Sequence, residues 1–88
     1  MIETTFIVPN KSGLHARTAA KLVSTTMEFS SRVEIGNEEK MVDAKSILSI
    51  MLLAASQGSE LRVLIDGPDE QQALKAILEL VDNRFGED

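Results

Sequence analysis

The chain has 88 residues and a formal net charge of −5, with one histidine and no cysteine, tryptophan or tyrosine. This length predicts a single domain over residues 1–88. The lack of cysteine excludes disulfides, thiolate metal sites and thiol catalysis. Nucleic-acid binding is disfavoured, because the Lys and Arg residues are scattered and stacking aromatic side chains are scarce. With no carboxylates clustered around the histidine, we expect no metal and no cofactor.

Neither the N-terminal residues nor the longest apolar stretch predict contact with a membrane. The first residues, "MIETTFIVPN", lack the basic start of a signal peptide. The longest apolar stretch, Ile47–Ala55, is far shorter than the ~20 residues that a membrane span needs. We therefore expect a cytoplasmic monomer without direct membrane insertion.

The first half of the chain predicts a strand, a helix and a hairpin. β-Branched and aromatic residues over Glu3–Pro9 are typical of a strand. Apolar residues recur at helical spacing over Ala16–Met27. Alternating residues over Ser31–Gly36 predict a strand that pairs with a short one over Lys40–Ala44. The positions expected to face the core are Ala19, Leu22, Val23, Thr26, Val33 and Ile35.

The second half predicts a helix, a strand and a longer helix. Helical spacing runs from Ser46, which we expect to be the N-cap of this helix, to Leu53, and a strand follows over Glu60–Gly67. The last helix covers Gly67–Phe85, with Asp69 as its N-cap and Gln72 completing a capping box. The inward positions of the strand and last helix are Leu61, Val63, Ile65, Ala73, Leu74, Ile77, Leu80, Val81 and Phe85.

The resulting order, β-α-β-β-α-β-α, predicts an α+β fold. Its strands are short, and they alternate apolar and polar residues as they would in a sheet with one covered face. The middle pair of strands forms a hairpin, which favours an antiparallel sheet. We therefore expect two layers, with the helices on one face of the sheet.

The stretch "SGLHARTAA" places the only histidine, His15, at the N-cap of the first helix. The backbone N–H groups of Ala16, Arg17 and Thr18 lack partners within the helix and point toward residue 15. Such a helix start binds anions, and the Arg17 guanidinium suits phosphate oxygens. A neutral imidazole has a nucleophilic ring nitrogen. These features favour a phosphoryl carrier, whose product is an anion held beside the amides and Arg17.

Local sequence leaves another interpretation open, in which His15 is a surface N-cap without chemistry. The protein would then be a small α+β regulatory or interaction module with an incidental histidine. Taken alone, a histidine before a helix favours this second interpretation.

The second helix is apolar on nearly every side. If Ile47, Ile50 and Leu53 face the sheet, then Leu48, Met51 and Leu52 point outward. Exposed apolar side chains of this kind usually bind a partner, although these could instead belong to the core. We expect one docking face at the starts of the first two helices. The remaining contributors would be Ala20 and Met27, with Arg17 and Lys45 supplying charge at the edge.

"GLHARTAAKLV", "AKSILSIMLLAASQGSEL" and "IDGPDEQQALKAILELV" together resemble the HPr family, the histidine-containing phosphocarrier proteins of the bacterial phosphotransferase system. The resemblance runs nearly end to end. It implies an open-faced β-sandwich of four antiparallel strands and three helices. The C-terminal "NRFGED" resembles the proteobacterial and nitrogen-related members. Thr18 is a departure, because the family commonly has proline there.

The resemblance also implies roles for individual residues. His15 would accept a phosphoryl group on Nδ1 from enzyme I and pass it to a IIA domain, with Arg17 beside the phosphate. Ser46 matches a regulatory serine that an HPr kinase/phosphorylase modifies. Ile47, Leu48 and Met51 lie in the matching docking helix.

Overall fold

A computed structural model describes residues 1–87 and confirms the predicted order of elements. The last helix is followed by a short 3-10 turn. The elements are β1 (Ile2–Ile7), α1 (Ala16–Thr26), β2 (Arg32–Gly36), β3 (Met41–Asp43), α2 (Ile47–Met51), β4 (Glu60–Asp66), α3 (Glu70–Asp82) and the 3-10 turn Arg84–Gly86.

The four strands form one open antiparallel sheet in the order β1-β4-β2-β3. Val63 on β4 lies opposite Thr4 on β1 and Ile35 on β2, so β4 has partners on both sides. Successive side chains of a strand point to opposite faces. Leu61, Val63 and Ile65 are accordingly buried on the face that the helices cover, as predicted. The α+β class and the one-sided core are therefore confirmed.

The first two helices run antiparallel. The Leu14 N–H, just before α1, donates to the Ala55 carbonyl, just after α2, at 2.9 Å. At the other end, the Thr26 hydroxyl donates to the Ala44 carbonyl at 2.8 Å. The expectation of a face built from the starts of both helices is therefore wrong, because the start of α1 lies beside the end of α2.

The last helix is shorter than the predicted Gly67–Phe85. It begins at Glu70, directly after the predicted N-cap Asp69, and Gly67 lies outside the helix with a φ of 156°. It ends at Asp82, and Arg84 and Phe85 then adopt left-handed backbone angles with φ of 53° and 54°. This reversal still buries Phe85, as predicted.

Phe85 fixes the end of the chain to the body of the protein. Its side chain is fully buried, and its ring centroid lies 6.3 Å from that of Phe6 on β1. The Lys21 ammonium on α1 donates to the Phe85 carbonyl at 2.9 Å. The residues after Phe85 are consequently directed back toward the start of α1.

Asp69 occupies the N-cap position of α3, but the predicted capping box is absent, because its carboxylate makes no bond to the helix. The carboxylate accepts the backbone N–H groups of Ser30 and Ser31, each at 2.9 Å, and the Ser31 hydroxyl. The start of α3 is thereby tied to the start of β2. Within residues 1–87, no helix has the length and apolar character needed to cross a membrane.

The contacts of Asp69 predict a loss of stability in acid. Hydrogen bonds from Ser31 and then Ser30 lower the pKa of its carboxyl from 3.8 to about 2. The stability it contributes is complete above its unfolded pKa near 4 and disappears as the pH falls through 2. We expect Asp69→Asn to lower the melting temperature at pH 7 by roughly 5 °C, and the difference from wild type to vanish at pH 2.

The matched control is Glu79→Gln, which removes an exposed carboxylate from the same helix. Its melting temperature should follow that of the wild type at both pH values. Thermal melts followed by circular dichroism measure all three proteins. An Asp69→Asn deficit that persists unchanged at pH 2 would contradict this assignment.

Candidate functional site

His15 is the N-cap of α1, as predicted. Its backbone is extended, with φ −117° and ψ −171°, and its Nδ1 accepts the Arg17 backbone N–H at 3.3 Å. The His15 side chain is 32% exposed, so the imidazole is supported by the protein and still open to a partner. The structure therefore brings the imidazole and the amides of the first helical turn together.

Glu87 supplies a second contact to the imidazole, and sequence reasoning missed it. Its Oε2 lies 3.1 Å from His15 Nε2, although the two residues are 72 positions apart. The Glu87 side chain is only 13% exposed. No local pattern marks this residue. The only signal is indirect, namely an apolar Phe85 that could anchor the tail two residues earlier.

The two contacts of the ring define its tautomer. Nδ1 accepts an N–H group from Arg17, so it must present its electron pair rather than a proton. On the other side of the ring, the Glu87 carboxylate is an acceptor, so Nε2 carries the proton. The two contacts therefore favour the Nε2–H tautomer of His15, which leaves the electron pair on Nδ1.

The Glu87 carboxylate is held by three side chains. Asn10 Nδ2 donates to its Oε1 at 2.9 Å, and its Oε2 lies 3.5 Å from Arg17 Nε. The hydrogen bond from Asn10, followed by the contacts with His15 and Arg17, lowers the pKa of the Glu87 carboxyl. The group is therefore an anion at neutral pH. The sequence had predicted only the helix amides and the Arg17 cation beside the ring.

Thr18 occupies the third position of α1 and is fully buried. Its hydroxyl accepts the His15 backbone N–H at 3.0 Å, which completes a capping box together with the His15 side chain. The same hydroxyl donates to the Gly13 carbonyl at 2.9 Å. Threonine, in place of the proline that is common in the family, therefore adds a hydroxyl that makes two hydrogen bonds at the site.

Five large apolar side chains are exposed on α2 and at the end of α1, and we call them the apolar patch. Leu48 and Leu52 are the most open on α2, at 68% and 62% exposed. The outward orientation predicted for Leu48, Met51 and Leu52 is confirmed. The whole patch comprises Met27, Ile47, Leu48, Met51 and Leu52.

Ile47 is a correction, because we expected it to face the sheet with Ile50 and Leu53. Only Ile50 is fully buried, while Leu53 is half-buried and Ile47 is exposed. The reason is that α2 has only five residues, so little more than one of its side chains can face the core. Ala20 and Lys45 are half-buried, and the Lys45 ammonium donates to the Phe29 carbonyl at 2.8 Å.

Ser46 is the N-cap of α2, as predicted. Its hydroxyl accepts the Ser49 backbone N–H at 3.3 Å. Because α1 and α2 are antiparallel, Ser46 lies near the end of α1 and His15 at its start. The 11 residues of α1, which lie between the two positions, span about 16 Å.

Comparison with known proteins agrees with this architecture. A family model described as "PTS HPr component phosphorylation site" matches residues 2–83. The phosphocarrier protein HPr of Xylella fastidiosa (strain 9a5c) is 53% identical over 88 residues, covering 100% of this chain and 99% of that protein.

Solved structures agree as well. The crystal structure of HPr-C-His from Thermoanaerobacter tengcongensis is 44% identical with a TM-score of 0.95, covering 100% of this chain and 99% of that one. An HPr dimer from the same organism is 45% identical with a TM-score of 0.78, covering 99% and 100% of the two chains. The chain therefore belongs to the HPr family and is a phosphocarrier of the phosphotransferase system.

Proposed function

We propose that His15 is the residue that carries the phosphoryl group, with Nδ1 as the acceptor atom. The observation behind this proposal is the hydrogen bonding of the imidazole, which leaves the electron pair on Nδ1. The Arg17 N–H now bonded to Nδ1 lies where an oxygen of an attached phosphoryl group would need a donor. The amides of Ala16 and Thr18 belong to the same helix start and favour the same anion.

Glu87 supports the transfer from the opposite side of the ring. As Nδ1 gives its electron pair to phosphorus, the bond between phosphorus and the donor breaks and its electron pair leaves with the donor. The imidazole, still protonated on Nε2, gains positive charge. The Glu87 carboxylate at 3.1 Å stabilises that charge. When the group is passed on, these steps reverse and the ring is again neutral.

Arg17 is the cation that stabilises the attached phosphoryl group. Its guanidinium now lies 3.5 Å from the Glu87 carboxylate, and its side chain is 71% exposed. An exposed side chain can turn from Glu87 toward Nδ1 at little cost in packing. Arg17 therefore exchanges one anion for another during transfer, while it makes no covalent bond itself.

The partners in this proposal are enzyme I as donor and IIA domains as acceptors, in the cytoplasm, with the protein acting as a monomer. The apolar patch is the surface that both would contact. Its Leu52 end is close to the site along the chain, because Leu52 precedes by three residues Ala55, whose carbonyl accepts the N–H of Leu14 next to His15. An exposed apolar surface favours association by burial, and methionine side chains adapt to more than one partner.

Ser46 would be a regulatory phosphorylation site, modified by an HPr kinase/phosphorylase. A phosphate there adds a charge of about −1.5 to −2 at pH 7. The dipole of α2 supports it little, since that helix has only five residues. A phosphate on Ser46 would affect docking, because Ile47 and Leu48 of the apolar patch directly follow Ser46 in the chain. A partner that buries them would have to desolvate the adjacent dianion, which costs free energy.

The carrier proposal predicts that His15→Ala abolishes labelling by enzyme I and radioactive phosphoenolpyruvate. Wild-type protein should gain an acid-labile, base-stable label, because phosphohistidine has that chemistry. Circular dichroism should show that the variant keeps its fold, since His15 is half-exposed. Normal labelling of His15→Ala would overturn the proposal, and an unlabelled wild type would favour the interaction module.

The docking proposal predicts that Leu48→Asp raises the KM for enzyme I by roughly 10-fold or more, while the free energy of unfolding changes by less than ~0.5 kcal/mol. The control is Leu78→Asp, which makes the same substitution at a leucine that is 42% exposed on α3. Leu78→Asp should leave the KM unchanged. Equal effects of the two variants on KM would remove the apolar patch from docking.

The regulatory proposal predicts that Ser46→Asp raises the KM for enzyme I several-fold without changing kcat. The matched control is Ser46→Ala, which loses the cap to Ser49 at a cost of about 1 kcal/mol but adds no charge. Steady-state phosphotransfer and thermal melts measure both variants. If Ser46→Asp has the KM of wild type while Ser46→Ala only lowers the melting temperature, Ser46 is a helix cap alone.

A further inference from the structure

His15 is connected at both its backbone and its ring to one closed circuit of hydrogen bonds. On the backbone side, the His15 N–H donates to the Thr18 hydroxyl at 3.0 Å, and this hydroxyl donates to the Gly13 carbonyl at 2.9 Å. Asn10 Nδ2 donates to the same carbonyl at 2.9 Å and to Glu87 Oε1 at 2.9 Å. Glu87 Oε2 returns to His15 Nε2 at 3.1 Å.

The Thr18 hydroxyl is the group best placed to set the geometry of this circuit, because it is the only side-chain group that both accepts and donates a hydrogen bond within it. Asn10 Nδ2 only donates, and the Glu87 carboxylate only accepts. Thr18 and Asn10 are both fully buried, so water does not compete for these bonds. A third contact, from the Thr18 hydroxyl to the His15 carbonyl at 3.3 Å, is longer than the bond to Gly13.

We propose that Thr18 is a positioning residue for phosphoryl transfer, whose hydroxyl fixes the His15 backbone so that the ring meets Glu87 and presents Nδ1. The inference rests on the proposed role of His15 and extends it. The Thr18 hydroxyl touches neither the phosphoryl group nor a partner, since the side chain is fully buried. Its effect therefore reaches the chemistry only through the orientation and tautomer of the imidazole.

The circuit explains why the hydroxyl matters more than the shape of the side chain. Without it, the His15 N–H loses its acceptor, and the Gly13 carbonyl keeps only the bond from Asn10. The N-cap residue can then rotate about its backbone angles, which moves the imidazole relative to Glu87. A displacement of this kind lowers the fraction of molecules with Nε2 protonated and Nδ1 available.

Thr18→Val tests the proposal, because valine keeps the shape of threonine and removes its hydrogen bonds. We expect kcat for phosphoryl transfer from enzyme I to fall roughly 5- to 10-fold, with an unchanged KM. Thr18→Ser keeps a hydroxyl and should restore most of the rate. The ¹⁵N chemical shifts of His15 should show the Nε2–H tautomer in wild type and Thr18→Ser, and a mixture of tautomers in Thr18→Val.

The control is Thr26→Val, on the same helix. Thr26 is also fully buried, and its hydroxyl donates to the Ala44 carbonyl at 2.8 Å, far from His15. Thr26→Val should lower the melting temperature as Thr18→Val does, while its kcat and its His15 tautomer stay those of wild type. This comparison separates loss of a buried hydroxyl in general from loss of the one at the site.

Wild-type kcat and a wild-type ¹⁵N spectrum in Thr18→Val would overturn the inference and leave the carrier role of His15 intact. A rise in KM alone would also overturn it, because that would indicate a docking defect. If Thr18→Val does not fold, Thr18→Ala provides the same test with a strong helix former. Failure of the carrier role itself is recognised separately, by labelling of His15→Ala.

Discussion

The position of His15 depends on the close approach of Gly13 to the backbone at Ala55. Gly13 has a φ of +70°, and a Cβ atom there would collide with the Ala55 carbonyl oxygen. That oxygen accepts the Leu14 N–H at 2.9 Å, immediately before the histidine. Only glycine allows both the left-handed backbone and the contact. The imidazole is therefore placed beside the end of α2 by main-chain geometry, in addition to its own side-chain contacts.

The surroundings of the imidazole suit the proposed role of His15, in which the ring gains a phosphoryl group and loses it again. The helix start and Arg17 stabilise negative charge on the Nδ1 side, while Glu87 stabilises positive charge on the Nε2 side. A site with only cations would retain a phosphoryl group, and one with only anions would repel it. Because Phe85 anchors the tail in the core, the balancing carboxylate stays in place without a dedicated loop.

The sequence was sufficient for features that rest on local patterns. Residue type and apolar periodicity identified the four strands and three α-helices, and the residues around His15 and Ser46 predicted their N-cap positions. Contacts between residues that are far apart in the chain could not be predicted from such patterns. The approach of Glu87 requires a chain reversal at Phe85, and nothing in the helical pattern before it indicates left-handed backbone angles. The carboxylate of Asp69 likewise bonds across to Ser31 instead of capping its own helix.

The antiparallel arrangement of α1 and α2 has a consequence for how many chemical states one molecule can hold. His15 lies at one end of α1 and the start of α2 lies near the other end, and the 11 residues of α1 span about 16 Å, whereas charges in physiological salt are screened over about 8 Å. Two covalent charges placed at these positions would hardly repel each other. One copy could thus carry both charges at once, so any effect of a charge at the start of α2 on the chemistry of His15 would have to act through the partner that docks on the apolar patch.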